Sequence, residues 1–310
     1  FTEAPKTIIT RNQSPDISFD RSINPYRGCE HGCIYCYARP AHAYMGLSPG
    51  LDFESKLFIK PNAAALLREE LSATNYVPAT IALGANTDPY QPIERGYRIT
   101  RSVIEVLAEF RHPFGIVTKS ANVMRDLDLL KPMAEQDLVK VALSVTTLDP
   151  KLARSMEPRA STPAKRLAAI EALAKAGVRT VVMMGPIIPG LNDHEIENIL
   201  KAARNAGAAE AGYTMLRLPF EVKEIFKDWL AREHPDRAAK VMSHVKEVRG
   251  GRENDPNFGT RQTGTGPIAW MIGRRFQMAA QRLGLNAERL KLRTDLFHRP
   301  IQKGEQMALF

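Results

Sequence analysis

GCEHGCIYCYARP, residues 28–40, decides how the rest of the chain is read. It holds Cys29, Cys33 and Cys36, and the sequence has no other cysteine. Thiolates are soft anionic ligands, and three of them this close together can wrap one soft metal or an iron–sulfur centre. At the spacing CxxxCxxC each can reach a different iron of a four-iron cube. With no fourth cysteine, one iron would lack a thiolate and could bind something else. Two other readings stay open at this point: a zinc site completed by His31 or His42, and plain buried cysteines. Zinc sites usually pair two CxxC knuckles, and no second pair exists here.

The bulk composition sets outer bounds. At 310 residues, 44% apolar and 25% charged, the chain is long enough for one large core or two moderate ones and is neither disordered nor membrane-like in composition. No apolar run approaches the roughly 20 residues that span a bilayer. The opening FTEAPKTIIT has no apolar signal core, and Phe1 in first place suggests that the native start lies upstream. Three clustered cysteines fit a reducing cytosol, so a cytoplasmic location is expected. The net charge is +9, and between Asn257 and Lys303 nine Arg and Lys face only Glu288 and Asp295. A basic face of this kind attracts phosphate backbones, although a solvated surface on a basic protein would look the same.

Read in order, residues 1–22 are an extended polar lead-in. SINPYRG (22–28) reads as a first strand that runs into the cysteine loop, with a helix starting near Ala38. Strands then follow at 79–84, 113–120, 138–147, 178–190 and 211–219. Helices are expected at 61–71, 95–110, 122–135 (with Asn122 as its cap), 163–176 and 193–205, on the strength of apolar spacing and glycine stops. Six alternations imply an α/β fold with parallel strands and right-handed crossovers. Six units are too few for a closed eight-stranded barrel, so the expected fold is a partial (β/α)6 TIM-like barrel over residues 23–219, with ligands at the C-terminal strand ends. Beyond it, 220–303 reads as a mainly helical, basic C-terminal extension. It contains helices at 221–234, 236–248 and 268–285 and a Gly-rich stretch at 250–267 that is either a loose connector or a loop approaching a backbone closely. Residues 304–310 form a peptide tail.

The strand ends carry GANTDPYQPIE (84–94), TKS (118–120), Ser144 followed by EPR (157–159), GPIIPGLND (185–193) and Arg217. Taken singly these are weak signals. In this order, after CxxxCxxC with Tyr35 before the last cysteine, the chain resembles the radical S-adenosylmethionine (radical SAM) superfamily. TDPYQPIE, TKS with RDLDLL, and SVTTLDPKLARSMEPR are similar to its spore photoproduct lyase-like branch over roughly residues 20–220. That resemblance implies the same six-unit partial barrel and a [4Fe–4S] cluster on Cys29, Cys33 and Cys36, whose open iron chelates SAM. It also implies a one-electron reductant of flavodoxin or ferredoxin type. It puts Asn86, Thr87 and Asp88 near the SAM amino group or ribose, Lys119 at the carboxylate, Ser144 at the ribose or carboxylate, and Ile188 and Leu191 with Tyr35 beside the adenine. Glu157, Arg159 and Arg217 are further polar contacts. The activity implied is an enzyme that abstracts hydrogen from nucleic acid, DNA above all, in repair.

One departure stands out. That branch uses a further Cys near the end of strand two as a hydrogen donor, and this chain has none, so Tyr90 is the positional candidate or the reaction differs. Tyr37, Tyr97 and Tyr213 could also line the site, with core packing as their default. Arg261, Arg274, Arg275 and Arg282 are candidates for phosphate contacts. The closing QMALF, with Gln306, Leu309 and Phe310, resembles the Q-x-x-L-F peptide that docks on the DNA sliding clamp. Two other functions remain open on these residues: a radical SAM enzyme that modifies RNA or a protein, and a non-catalytic DNA- or clamp-binding metalloprotein.

Overall fold

The computed structural model describes residues 1–300 of the chain, so the tail calls on Gln306, Leu309 and Phe310 lie outside the described residues. Six strands lie side by side in chain order: β1 Arg21–Ile23, β2 Ile81–Leu83, β3 Phe114–Thr118, β4 Val139–Ser144, β5 Arg179–Ile187 and β6 Glu210–Met215. Every pairing among them is parallel, and the short strand Thr10–Arg11 adds antiparallel to β1 at one edge. Among the described residues nothing pairs β6 back to the β1 side, so the expected partial (β/α)6 barrel is what forms. The crossover helices are α1 Ala63–Ser72, α2 Ile99–Glu109, α3 Leu127–Ala134, α4 Pro163–Lys175 and α5 Ile196–Asn205. After β6 come α6 Val222–Glu233, α7 Pro235–Glu247 and α8 Gly266–Arg282.

The apolar pattern explains the packing. β2 is buried on both faces, as a central parallel strand must be when helices cover it. Helix α1 turns Ala63, Leu67 and Leu71 inward at four-residue spacing, and α2 does the same with Ile99, Val103, Ile104, Val106 and Leu107. These side chains and the strand residues form one continuous core. A second, smaller core joins Cys33, Tyr35, Leu152, Met156, Ile188 and Leu191 to α6 and α7.

Three expected elements differ from the structure, each for a local reason. SINPYRG is not one strand: Arg21–Ile23 enters the main sheet, while Tyr26–Arg27 leaves it to pair with Phe58–Ile59. Pro25 has no N–H for the ladder, so the chain breaks there. The helix expected over 95–110 is interrupted at Arg98, whose φ is 51°. There the buried Glu94 carboxylate accepts from the Thr100 N–H at 2.9 Å and from the Arg101 N–H at 3.3 Å, and so caps α2 afresh. The helix expected from Asn122 begins as a 3-10 turn, Ala121–Asp126. Its cap is Ser120, whose hydroxyl accepts from the Asn122 N–H at 3.2 Å.

The Gly-rich stretch is tied down rather than loose. Arg249 is buried and has no carboxylate partner among the described residues, and burial pulls its guanidinium down to about 10. It donates to the carbonyls of Met215 and Leu216 at the end of β6 and to those of Thr260 and Arg261. Arg261 pairs with Asp16 and Ser14 of the lead-in, which explains why it is not a free phosphate contact. Helix α8 lies antiparallel along β6. Gln262 just before it accepts from the Met215 N–H at 2.7 Å, and Asn286 just after it exchanges two 3.0 Å bonds with Ala211. In Arg249→Met these carbonyls lose charged donors worth about 1.5–3 kcal/mol each. Amide exchange across residues 255–265 is expected to rise at least about tenfold, with β2 to β5 unchanged by the same mass-spectrometric measurement.

Candidate active site

Two glycines make the cysteine loop possible. Gly28 has φ +81°, and a Cβ there would lie 2.9 Å from both Phe53 O and Leu57 Cδ2. Gly32 has φ +67°, and a Cβ there would run into the Arg159 guanidinium and lie 2.7 Å from Glu54 Oε2. The loop is then held by side chains from all around it. Arg39, 1% exposed, donates to Cys33 O at 2.9 Å, to Pro49 O at 3.0 Å and Gly50 O at 2.8 Å, and pairs with Glu54 at 2.5 Å. Gln91 bridges the loop to the end of β2, accepting from the Glu30 N–H at 2.9 Å and donating to Gly28 O at 3.1 Å. Neither Arg39 nor Gln91 was singled out from the sequence, because a buried polar residue in a loop has no periodic signal.

Asp88 and Glu157 carry the electrostatics. His31 Nδ1 lies 3.4 Å from Asp88 Oδ2, and the Asp88 carboxylate accepts from Thr118 Oγ1 at 2.7 Å, the Lys119 N–H at 2.6 Å and the Tyr90 N–H at 2.9 Å. Burial alone would raise its pKa, yet His31 and these donors hold it at about 2. Glu157, 2% exposed, accepts from the Tyr35 hydroxyl, from Thr146 Oγ1 at 2.7 Å and from the buried Arg166 guanidinium. Burial again opposes ionisation, and Arg166 followed by Lys119 outweighs it, holding Glu157 at about 2. Both carboxylates therefore staple the cysteine loop to the strand ends.

Most of the polar site candidates are engaged by the protein itself. Asp88 and Glu157 have their acceptor sites filled by the protein and are positioning residues rather than free ligands. Arg159 is taken up by Glu30 O and Glu54. The Thr87 hydroxyl donates to Tyr26 O at 2.9 Å. Asn86 receives only a backbone tie, its N–H donating to Asn24 at 2.9 Å, and its side chain is exposed. Tyr90 is fully buried, and its hydroxyl donates to Asp126 at 2.9 Å. A phenol covered in this way, beneath Arg125, cannot meet a substrate as hydrogen donor. Tyr37 is the tyrosine that reaches the opening, 49% exposed with its hydroxyl on Ala85 O. Ile188 and Leu191 do share one apolar cluster with Tyr35 and Cys33, and both are covered within it.

What remains unengaged is cationic. The Lys119 side chain, at the end of β3, makes no hydrogen bond or ion pair among the described residues, and its Nζ stands 5.7 Å from the centre of the Tyr35 ring. Burial would lower the ammonium's pKa, but Cys33 and Glu157 keep it above the ordinary lysine range. Arg217, beyond β6, lies 5.8 Å from the centre of the Tyr37 ring, and its buried Nε has no partner. Ser144 Oγ at the end of β4 makes no hydrogen bond among the described residues, although its carbonyl accepts from Arg166 at 2.9 Å. Two open grooves, of about 480 and 520 Å³, lie away from these residues, one at the N-terminal ends of β4 and β5 and one between Ser48 and Phe220.

The thiols fit an iron–sulfur cluster. All three are free; Cys29 and Cys33 are buried, and Cys36 is half-buried beside them. Burial pushes the Cys33 thiol up to about 12, against the pull of Lys119, so that thiol stays neutral until a cationic core displaces its proton. Among the described residues no three His, Cys, Asp or Glu side chains are already gathered round a single ion.

The buried pair gives a pH prediction. A carboxylate held near 2 when folded, against 4.5 ordinarily, contributes stability that is complete above about pH 4.5 and lost as pH falls through 2. Glu157→Gln leaves Arg166 buried without its counter-charge, at a cost of about 3–5 kcal/mol at pH 7. The gap between wild type and variant in thermal melting should close as the pH is lowered from 4.5 towards 2.

Comparison with known proteins agrees with this site. Residues 23–203 match the family model of the radical SAM superfamily. An uncharacterized protein of Mycobacterium tuberculosis is 39% identical over 234 residues, 75% of this chain and 68% of its own. A radical SAM Nalpha-GlyT isomerase of Pseudomonas phage M6 is 26% identical over 173 residues, 55% of this chain and 34% of its own. Among solved structures, spore photoproduct lyase complexed with dinucleoside spore photoproduct superposes with a TM-score of 0.64 over 92% of this chain and 80% of that one, at 14% identity, a likeness of fold. No helix among the described residues is long and apolar enough to cross a membrane. With its trio of free thiols at the mouth of a six-strand parallel half-barrel and a family model matched over most of that barrel, this chain belongs to the radical SAM superfamily and is an enzyme of it.

Proposed function

We propose that the enzyme abstracts hydrogen from a nucleic-acid substrate, DNA in the first instance, in a repair-type reaction. Cys29, Cys33 and Cys36 would hold the [4Fe–4S] cluster. When bound, cluster and SAM supply a 5′-deoxyadenosyl radical by one-electron cleavage, which requires a small electron donor of flavodoxin or ferredoxin type. The observation that carries the reading is Lys119. Lys119 is held charged beside Cys33 and Glu157, and its Nζ makes no hydrogen bond or ion pair among the described residues, so it is available to an anion, and the SAM carboxylate is that anion. Ser144 Oγ offers a second polar contact. Tyr35, Met156, Ile188 and Leu191 form the apolar wall that keeps water from the reacting centre.

The substrate class rests on charge. Arg217 is a second unengaged cation at the opening, above Tyr37, and suits a phosphate of the substrate strand. Arg274 and Arg282 are exposed and make no ion pair among the described residues, whereas Arg275 is occupied by Glu197 at 2.7 Å. The solved neighbour that holds a dinucleoside photoproduct on the same fold supports this class. A radical generated among loops cannot reach a base stacked in duplex, so the target nucleotide must be flipped or single-stranded.

The reading is tested with anaerobically reconstituted protein, dithionite, SAM and deuterated oligonucleotides. Deuterium should appear in 5′-deoxyadenosine; its absence with every nucleic acid, alongside label transfer from another substrate class, would overturn the assignment. Lys119→Met should raise the KM for SAM roughly 10- to 100-fold, the worth of one charge-assisted contact, while iron and sulfide content stay at wild-type values. An unchanged KM would place the carboxylate elsewhere.

A further inference from the structure

Helix α8 has an outward face that the barrel does not explain. Its inward residues Ala269, Ile272, Phe276, Ala279 and Ala280 are buried. Trp270, Met271 and Met278 are exposed by 72%, 43% and 37%, and Arg274, Gln277, Gln281 and Arg282 are exposed with them. Offsets of 0, 1, 4, 7, 8, 11 and 12 from Trp270 put all seven on one helical stripe, about 18 Å long. An indole with most of its surface in water is uncommon for a residue that usually packs inside. The stripe holds no acidic residue, and neither does the rest of α8.

The stripe begins beside the site. Gly273 sits against Tyr213 of β6, so close that a Cβ would lie 2.7 Å from the Tyr213 hydroxyl. Trp270 is one turn nearer the end of α8 that adjoins Gln262 and Met215, at the same strand ends that carry the cysteine loop and Arg217.

We infer that this face of α8 is a docking platform for a single-stranded segment of nucleic acid flanking the target nucleotide, with bases stacking on Trp270 and the methionine side chains and phosphates meeting Arg274 and Arg282. The inference rests on the nucleic-acid reading above and adds to it a place and a strand form. The chemistry selects the occupant. Flat aromatic and thioether surface accepts any base, two unpaired guanidinium groups accept phosphates, and the lack of carboxylates removes repulsion of a polyanion.

The chain's two tryptophans make a direct assay, because Trp229 is buried at 2% exposure and only Trp270 can stack on a ligand. The reconstituted full-length protein is titrated with oligothymidylate and with a duplex of equal length, following tryptophan emission and fluorescence anisotropy. The single strand should quench emission and bind more tightly than the duplex. Trp270→Ala should abolish the quench and weaken binding roughly tenfold, with melting temperature and iron content unchanged. Arg274→Gln with Arg282→Gln should flatten the dependence of log affinity on log salt by about 1 to 1.5. Wild-type binding that survives all three substitutions unaltered, or that prefers duplex, overturns the platform and leaves the nucleic-acid reading standing. Failure of the wild type to bind either probe overturns both. A self-association of the chain that Trp270→Ala dissolves would assign the face to a second copy and overturn the proposal.

Discussion

The buried ion pair between Glu157 and Arg166 is the interaction on which the site depends. A loop that carries three thiols and two left-handed glycines has little apolar surface with which to hold itself. Glu157 reaches it through the Tyr35 hydroxyl while Arg166 is anchored on the Ser144 and Ser161 carbonyls, so one pair binds the loop to the end of β4. Asp88 repeats the device from β2 and β3, through His31 on the loop and Thr118 on the strand. The two carboxylates are consumed by structure, and the cation between them, Lys119, is not. That division gives the site its polarity: a dry, apolar wall, a trio of thiols, and positive charge facing the opening.

The cysteine spacing and the strand–helix alternation were legible in the sequence because both are local and periodic. Six units, their order and the position of the loop followed from them. Less legible was what each polar residue at the strand ends does. Asp88, Glu157 and Arg159 stand where ligand contacts would stand, but His31 and Glu54 come from distant parts of the chain and Arg166 from the start of the next helix, and no spacing rule reports contacts of that kind. Tyr90 was misplaced for a similar reason. Its position after TDP puts it at a strand end, yet its ring turns into the core, where Asp126, from the turn after β3, offers its hydroxyl a partner. The break at Pro25 was missed although a proline inside an expected strand is a local signal for one.

The C-terminal region shows how a count of charges can mislead. Arg261 and Arg275 contribute to the basic excess, and both are neutralised in the fold, by Asp16 and by Glu197. Arg217, Arg274 and Arg282 make no ion pair among the described residues and are better placed. They lie near one end of the strands and along one helix that borders β6. The Gly-rich segment between them is fixed by Arg249, which makes α8 part of the barrel wall and not a separate appendage.

The central claim is that three thiolates hold a cluster with one iron free for SAM. Electron paramagnetic resonance of the dithionite-reduced, anaerobically reconstituted protein tests it most directly. The account predicts the signal of a reduced [4Fe–4S] cluster that changes shape when SAM is added, and that changes less when Lys119 is replaced by Met. A protein that takes up no cluster, or one whose signal is indifferent to SAM, would contradict it.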